Sequence, residues 1–380
     1  MPKIMFFITE DWAFLSHRLP LARACRDQGW EVVIATHVTD RAEIIRKEGF
    51  GLEPLPLERG GSHPWREARA LLALISAIRR QKPDILHCVA IKPVLYGNLA
   101  ALLLGHKNTV SALAGMGYAF TGSAPKIRLL RGLLSTLLRL LLRRPGHRII
   151  VQNEDDRALL LAIGAARGEN ITLIPGSGVD LAALPSLPPP DNKRVVFALV
   201  ARMLADKGIR EAAAAARILQ QQGVAAELWL VGAPDPHNPS TIAESELRDY
   251  EAGGAVRWLG HRSDIKEIWA QADVAILPSY REGMPKALLE AASCARPIIT
   301  TDVIGCRQVI DDGIEGFLVP ARESVGLAEA MRRLAEDRDL RLRMGQAARR
   351  RAERLFGQDQ VVAAHLAIYR ALLDRSPEPS

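Results

Sequence analysis

Two glutamates eight positions apart, Glu282 and Glu290, flank a glycine, a methionine, a proline and a lysine in the stretch REGMPKALLE. Gly283 suits a tight turn. Pro285 suits the first position of a helix, where its missing N–H costs nothing and its φ is already helical. Lys286 to Glu290 then form the opening turns of that helix, with Glu282 in the loop before it and Glu290 inside it. The unpaired N–H groups of the first turn, together with the positive end of the helix dipole, make a place where a phosphate can sit. Acidic residues also gather at helix starts for dipole reasons alone, so the segment needs a second observation. The stretch ALVARMLADKGI supplies one. Arg202 and Lys207 fall beyond the carboxyl end of an apolar strand, two cations placed to hold a diphosphate.

The elements that must position these groups follow from short apolar runs. KIMFFIT, EVVIAT, DILHCV, NTVSAL, HRIIVQ and ITLIP recur through the first half, and RVVFALVA, AELWLVG, AVRWLG, DVAILPS and RPIITT through the second. Each precedes a longer stretch of helical periodicity, the pattern of a parallel sheet covered by helices on both faces. The alternation restarts after LPSLPPPDNK, which is proline-rich and has no periodic apolar face. These runs predict an α/β protein of two doubly wound domains, residues 1–184 and 194–355, joined by a linker at 185–193. A last amphipathic helix within 356–380 is expected to pack back on the first domain. Open parallel sheets bind ligands at the carboxyl ends of their strands, so two facing domains would place a ligand in the cleft between them.

Composition narrows the class. The 380 residues carry a formal charge of +7, which favours phosphates, nucleic acid or anionic lipid as partners. From Ile85 to Asn153 there is no Asp or Glu, while nine Lys and Arg fall in the window, more than the net charge of the whole chain. The four cysteines show no metal-ligand spacing and read as reduced thiols. The apolar run at the N-terminus is too short for a signal peptide or a membrane span, and reads as a first buried strand. Nucleic-acid binding is the weaker expectation, because only 5 % of residues are aromatic and no RNA-binding module is visible.

ARMLADKG, WLGHRSDI and LPSYREGMPKALLEAASCARPIITTDVIGCRQVIDDGIEGFLVP resemble the second domain of glycosyltransferase family 4, retaining enzymes of GT-B fold that use sugar nucleotides; IPGSGVD at 174–180 is similar as well. The resemblance implies that Glu282 contacts the donor sugar's hydroxyls and Glu290 the ribose hydroxyls. It implies that Arg202 and Lys207 bind the diphosphate and stabilise the leaving group, with the backbone of Gly283, Met284, Pro285 and Lys286 lying against sugar and phosphates. A UDP-sugar is then a co-substrate, and neither a cofactor nor a metal is expected. The DxD at Asp337 and Asp339 reads as a solvent-facing part of a charged helix. The alternative enzyme of the same fold is a UDP-sugar 2-epimerase.

FLSHRLPLARACRDQGWEV and PDILHCVAIKPVLYGNLAALLLG resemble acceptor domains of enzymes that build bacterial surface polysaccharides, such as lipopolysaccharide or capsule, on polyprenyl carriers. His17, Arg18, His87 and Lys92 lie near strand ends and are candidates to face the acceptor. Many family members carry a histidine in the loop that here reads NTVSALAGMGYAFTG. This chain has none there, and Gly115 and Gly117 suggest a backbone close to a ligand instead. In PKIRLLRGLLSTLLRLLLRRP, Arg128, Arg131, Arg139 and Arg143 cluster within about 120° of helical arc beside nine leucines. Such a helix either lies in a membrane interface or packs on the sheet with its arginines in water. The expectation is a retaining transferase moving a sugar, N-acetylhexosamine among the candidates, from UDP-sugar to a lipid-linked or saccharide acceptor at the cytosolic membrane face.

Overall fold

The computed structural model describes residues 1–57, 63–113, 125–236 and 238–374, and for 125–128 and 130 the backbone alone. Gly115 and Gly117 lie outside the described residues, as does the side chain of Arg128. The chain forms two compact units, residues 1–177 with 361–380, and residues 178–360.

The first unit runs β1 (Lys3–Glu10), α1 (Asp11–His17), α2 (Leu19–Asp27), β2 (Glu31–His37), α3 (Ala42–Lys47), β3 (Gly51–Pro54), α4 (Pro64–Gln81), β4 (Ile85–Val89), α5 (Ile91–Leu104), β5 (Thr109–Leu113), α6 (Pro125–Leu142), β6 (His147–Val151), α7 (Glu154–Ala162) and β7 (Ile171–Leu173). The strands form one parallel sheet in the order β3-β2-β1-β4-β5-β6-β7. Alternate residues of β1 serve opposite faces, as a strand requires. Met5 and Phe7 pack with Leu74, Val94 and Leu138 of α4, α5 and α6. Ile4, Phe6 and Ile8 pack with Phe14 and Leu21 of α1 and α2. Both faces are therefore covered, and the strands read as near-continuous apolar runs.

The second unit runs β8 (Val195–Val200), a 3-10 turn (Ala205–Lys207), α8 (Ile209–Gln221), β9 (Ala226–Val231), α9 (Glu244–Ala252), β10 (Val256–Trp258), α10 (Ile265–Gln271), β11 (Val274–Leu277), α11 (Lys286–Ser293), β12 (Ile298–Thr301), β13 (Gly316–Val319), α12 (Ser324–Glu336) and α13 (Arg338–Leu355). Its sheet is also parallel, in the order β10-β9-β8-β11-β12-β13. Asp337 of the DxD caps α13, its side chain accepting from the Leu340 N–H at 2.8 Å.

Two expectations about boundaries change. The units divide at Ser177 and Gly178 rather than at residue 184, and 185–193 is no free linker. Leu184 and Leu187 pack on the core of the second unit. The Leu187 N–H meets Cys294 O at 3.4 Å, and Arg296 donates to Pro188 O at 2.7 Å. Four prolines leave few N–H groups to satisfy, so the stretch can lie on a folded surface without a strand or helix of its own. The last helix, α14 (Gln358–Leu373), belongs to the first unit from Val361 on. Its Val361, Leu366, Tyr369 and Leu372 join the core formed by Ile4, Phe6 and Trp30.

Candidate active site

In the second sheet the strand order reverses between β8 and β11, so the loops beyond their carboxyl ends border the crevice where such sheets bind ligands. The first loop carries Arg202 and Lys207, and the second runs from Pro278 to Pro285. The Tyr280 N–H donates to Asp206 O at 2.9 Å, which ties the two loops together. Gly208, at φ +72°, makes their approach possible, because a Cβ there would stand 2.1 Å from Pro278 O. At the junction Lys207 forms an ion pair with Glu282, and Ser279 Oγ donates to the same carboxylate oxygen at 2.8 Å. A third loop, after β12, closes on these residues. A Cβ on Gly305 would lie 2.4 Å from Gly283 O and 2.5 Å from Glu282 O, and the Glu282 N–H points to Ile304 O at 3.3 Å.

Helix α11 starts at Lys286, with Pro285 as its N-cap at φ −74° and ψ 106°. That is one position earlier than expected for the proline: the ring fixes φ but the extended ψ keeps the residue outside the helix. The Pro285 side chain offers no capping acceptor, and in the first turn the Leu288 N–H donates to Pro285 O at 3.0 Å. Glu290 lies one turn in and is mostly buried, with Lys286 Nζ 3.6 Å from its carboxylate. Burial pushes the Glu290 carboxyl above the usual range, and Lys286 pulls part of the way back. Arg202 is paired with Asp235 of the loop after β9, whose own N–H donates to Thr241 Oγ1 at 2.9 Å.

The structure thus joins Lys207 to Glu282 and sets Arg202 and Glu290 in the same unit, each with a partner. Asp235, Ser279 and Gly305 take part and were not singled out by sequence. Their only signals are a carboxylate in the loop VGAPDP, a hydroxyl directly after the strand in LPSY, and a glycine between apolar residues in VIGC.

In the first unit the strand order reverses between β1 and β4. His17 ends α1 beyond β1, with Nδ1 3.4 Å from Ser177 Oγ. Lys92, in the first turn of α5 beyond β4, pairs with Glu67 at 2.8 Å, and Tyr96 donates to the same carboxylate. His87 does not face any acceptor. It points from the middle of β4 into the core, fully buried, bonded to the Tyr369 hydroxyl and stacked 5.9 Å from His365. Burial, with the Arg18 charge nearby, holds its pKa well below the ordinary histidine value. The strand-end rule misplaces it because alternate residues of a doubly covered strand point inward on one face or the other. Arg18 is also buried, at the junction of α1 and α2.

Two family models match the chain, one described as glycosyl transferase 4-like over residues 3–153 and one as glycosyl transferases group 1 over residues 194–337. The chain belongs to the group 1, family 4-like glycosyltransferases. It is 26 % identical to the Campylobacter jejuni N,N′-diacetylbacillosaminyl-diphospho-undecaprenol α-1,3-N-acetylgalactosaminyltransferase, covering 96 % of this chain and 97 % of that protein. It is 25 % identical to the Escherichia coli UDP-Gal:α-D-GlcNAc-diphosphoundecaprenol α-1,3-galactosyltransferase over 73 % of each. Among solved structures, Anabaena HepE in complex with UDP and glucose superposes with a TM-score of 0.76 at 17 % identity, covering 98 % of this chain and 100 % of that one. The two parallel sheets are those of the GT-B fold, and the chain is a glycosyltransferase. The alternative of an epimerase finds no support in these relatives.

In this glycosyltransferase the contact at Gly305 sets where Glu282 stands. A side chain there must push the Glu282–Gly283 backbone; if this loop borders the reacting centre, a displacement of about 1 Å costs on the order of 10²-fold. Gly305→Ala is expected to lower sugar transfer by about that factor. Gly313→Ala, at φ +77° with nothing within 4 Å, carries the same backbone strain without the contact. Equal losses in the two variants would show that strain, not the close approach, sets the effect.

Proposed function

We propose that the chain moves a hexose or N-acetylhexosamine from a UDP-sugar to a sugar carried on a polyprenyl diphosphate, with retention at the anomeric carbon and without a divalent metal. One observation carries the donor half of this reading: Lys207 and Glu282 meet beyond the carboxyl ends of the strands where the second sheet reverses its order, in the loops that lead into the N-terminus of α11. Arg202, Lys207 and the helix N–H groups would neutralise the departing diphosphate, the work a metal does elsewhere. Glu282 would hold the sugar hydroxyls and Glu290 the ribose. Attack comes from the face the phosphate leaves, with that phosphate taking the acceptor's proton. The names of the Campylobacter jejuni and Escherichia coli relatives support the acceptor class. Both give an α-1,3 linkage to a sugar on undecaprenyl diphosphate, which from an α-linked nucleotide sugar is retention.

Calorimetry separates the two glutamates. Glu290→Ala is expected to weaken UDP binding about 10-fold, the loss of a hydrogen bond to a charged group. Glu282→Ala leaves UDP affinity largely intact and reduces transfer. The reverse pattern would refute the assignment. Since the Glu290 carboxyl is held above the usual range, it takes up a proton at a higher pH than an ordinary glutamate and then loses its capacity as a full acceptor. UDP affinity should therefore fall as pH drops below neutral, and Glu290→Gln should flatten that response. Turnover should persist in EDTA; loss restored by magnesium or manganese would overturn the metal-free route.

The membrane half rests on α6. Leu134, Leu138, Leu141 and Leu142 are buried, yet Leu129, Leu133 and Leu140 stand 79 %, 60 % and 67 % exposed. The two expectations for this helix therefore divide one face each. Arg131 is half-buried, Arg143 is exposed, and exposed Arg139 donates to Ile163 O at 2.9 Å. On α4, in the same layer, Trp65 is 80 % exposed and Leu72 is exposed as well. Exposed leucines beside arginines, with an aromatic at the rim, fit an anionic lipid surface. No helix among the described residues is long and apolar enough to cross a membrane, so this docking would be peripheral, at the inner face of the cytoplasmic membrane. Each basic residue near such a surface contributes about 1 kcal/mol, screened by salt. Replacing Arg128, Arg131, Arg139 and Arg143 by Gln should release the protein from acidic liposomes in flotation without changing UDP binding. Wild-type protein that fails to float at low salt would end the membrane assignment.

A further inference from the structure

Two arginines are buried to the same degree, Arg18 and Arg296, each 3 % exposed. Arg296 is satisfied. Its Nε donates to Trp269 O and its Nη2 to Pro188 O, both at 2.7 Å. Arg18 has no equivalent. Its Nε is sealed from solvent without a hydrogen bond, and among the described residues no carboxylate pairs with it. The groups around it are neutral: His87, bonded to the Tyr369 hydroxyl, and His365, bonded to Val361 O at 2.8 Å. Burial and the Arg18 charge hold both histidines in the uncharged form, His365 down to about 3, while burial pushes the Tyr369 hydroxyl up. None of these groups can supply a negative charge. A guanidinium does not escape by losing its proton either. A buried cation without a counter-charge is costly, so its retention here asks for an anion that the described residues do not supply.

The place of Arg18 indicates which anion. It joins α1 to α2, with α1 between it and the carboxyl end of β1, where the first sheet reverses its strand order. The neighbouring His17 is half-exposed and reaches Ser177. We propose that Arg18 receives a phosphate of the lipid-linked acceptor, whose oxygens accept from the guanidinium fork and supply the missing charge. The proposal rests on the acceptor reading above. It is separate from the donor diphosphate, which is assigned to Arg202 and Lys207 in the other unit. The match between a planar guanidinium and phosphate oxygens is bidentate and charge-assisted, which an ammonium does not reproduce.

The test is titration of the full chain with inorganic diphosphate and with farnesyl diphosphate, each at saturating UDP. Wild-type protein is expected to bind a diphosphate with UDP already present. Arg18→Met should lose at least 10-fold in that affinity while binding UDP unchanged, and Arg18→Lys should fall between the two. In transfer assays the KM for the acceptor should rise far more than kcat falls. Flotation on phosphatidylglycerol vesicles should be the same for wild type and Arg18→Met; a loss there would move the site from acceptor phosphate to lipid headgroup and overturn the proposal. So would a wild-type protein that takes up no diphosphate beyond UDP, or an Arg18→Met variant that binds it normally. If Arg18→Met does not fold, Arg18→Lys decides, since affinity equal to wild type would remove the need for the fork. A wild type that binds diphosphate through Arg18 but does not bind UDP would refute the donor reading and leave this one standing.

Discussion

Three loops of the second unit meet backbone to backbone, and this constraint fixes everything the site can do. Gly208 lies against Pro278 O and Gly305 against the carbonyls of Glu282 and Gly283, distances at which no side chain fits. Only with the loops so close can Lys207 reach Glu282, which lies 75 residues further along the chain. Both side chains are largely shielded from water. A pair in that setting gains little net stability over an apolar contact, but breaking it by removing one partner leaves a shielded charge uncompensated. The geometry of the pair therefore follows from the loops, and the loops follow from two glycines.

The first unit solves a different problem. Its sheet is covered on both faces, and the face under α2 is completed by α14, from the far end of the chain. That closure buries a cluster of polar rings, His87, His365 and Tyr369, which satisfy one another in part and leave the two histidine Nε2 atoms without partners. Among the described residues no carboxylate pairs with Arg18. The opposite layer bears the apolar excess, because α6 is apolar around more of its circumference than the sheet can cover. Acceptor phosphate and lipid surface would thus be served by different layers of the same unit.

Much of this was legible in the residues. The β-branched runs marked the inner strands, because parallel strands covered on both faces cannot alternate with polar residues. The strands not foreseen, GLEP and GFLV, are sheet edges of four residues that open on glycine, too short and too weak in β-branched content to stand out. Glu282, Glu290, Arg202 and Lys207 stood out by residue type and spacing, but which acid meets which cation did not. Pairing depends on loop contacts between strands far apart in sequence, so Asp235 looked like any loop carboxylate. His87 failed for the opposite reason, since sequence gives a strand's end but not the face on which each residue lies. The proline-rich stretch looked like a linker because its contacts are made by carbonyls and leucines, which leave no periodic trace.

The pairing of cations with carboxylates bears on how a donor would be received. With Asp235 on Arg202 and Glu282 on Lys207, the two cations are held in place before any phosphate arrives, and their mutual repulsion is already screened. A diphosphate that takes over these cations exchanges one anionic partner for another, so the site need not order two long side chains from solution. The same exchange frees the Glu282 carboxylate, which Ser279 continues to hold in position. Under the proposed reading, arrival of the phosphates is then the event that makes Glu282 available to the sugar hydroxyls. Phosphate binding and sugar positioning are linked through a single ion pair, and a nucleotide lacking the second phosphate would leave that pair closed.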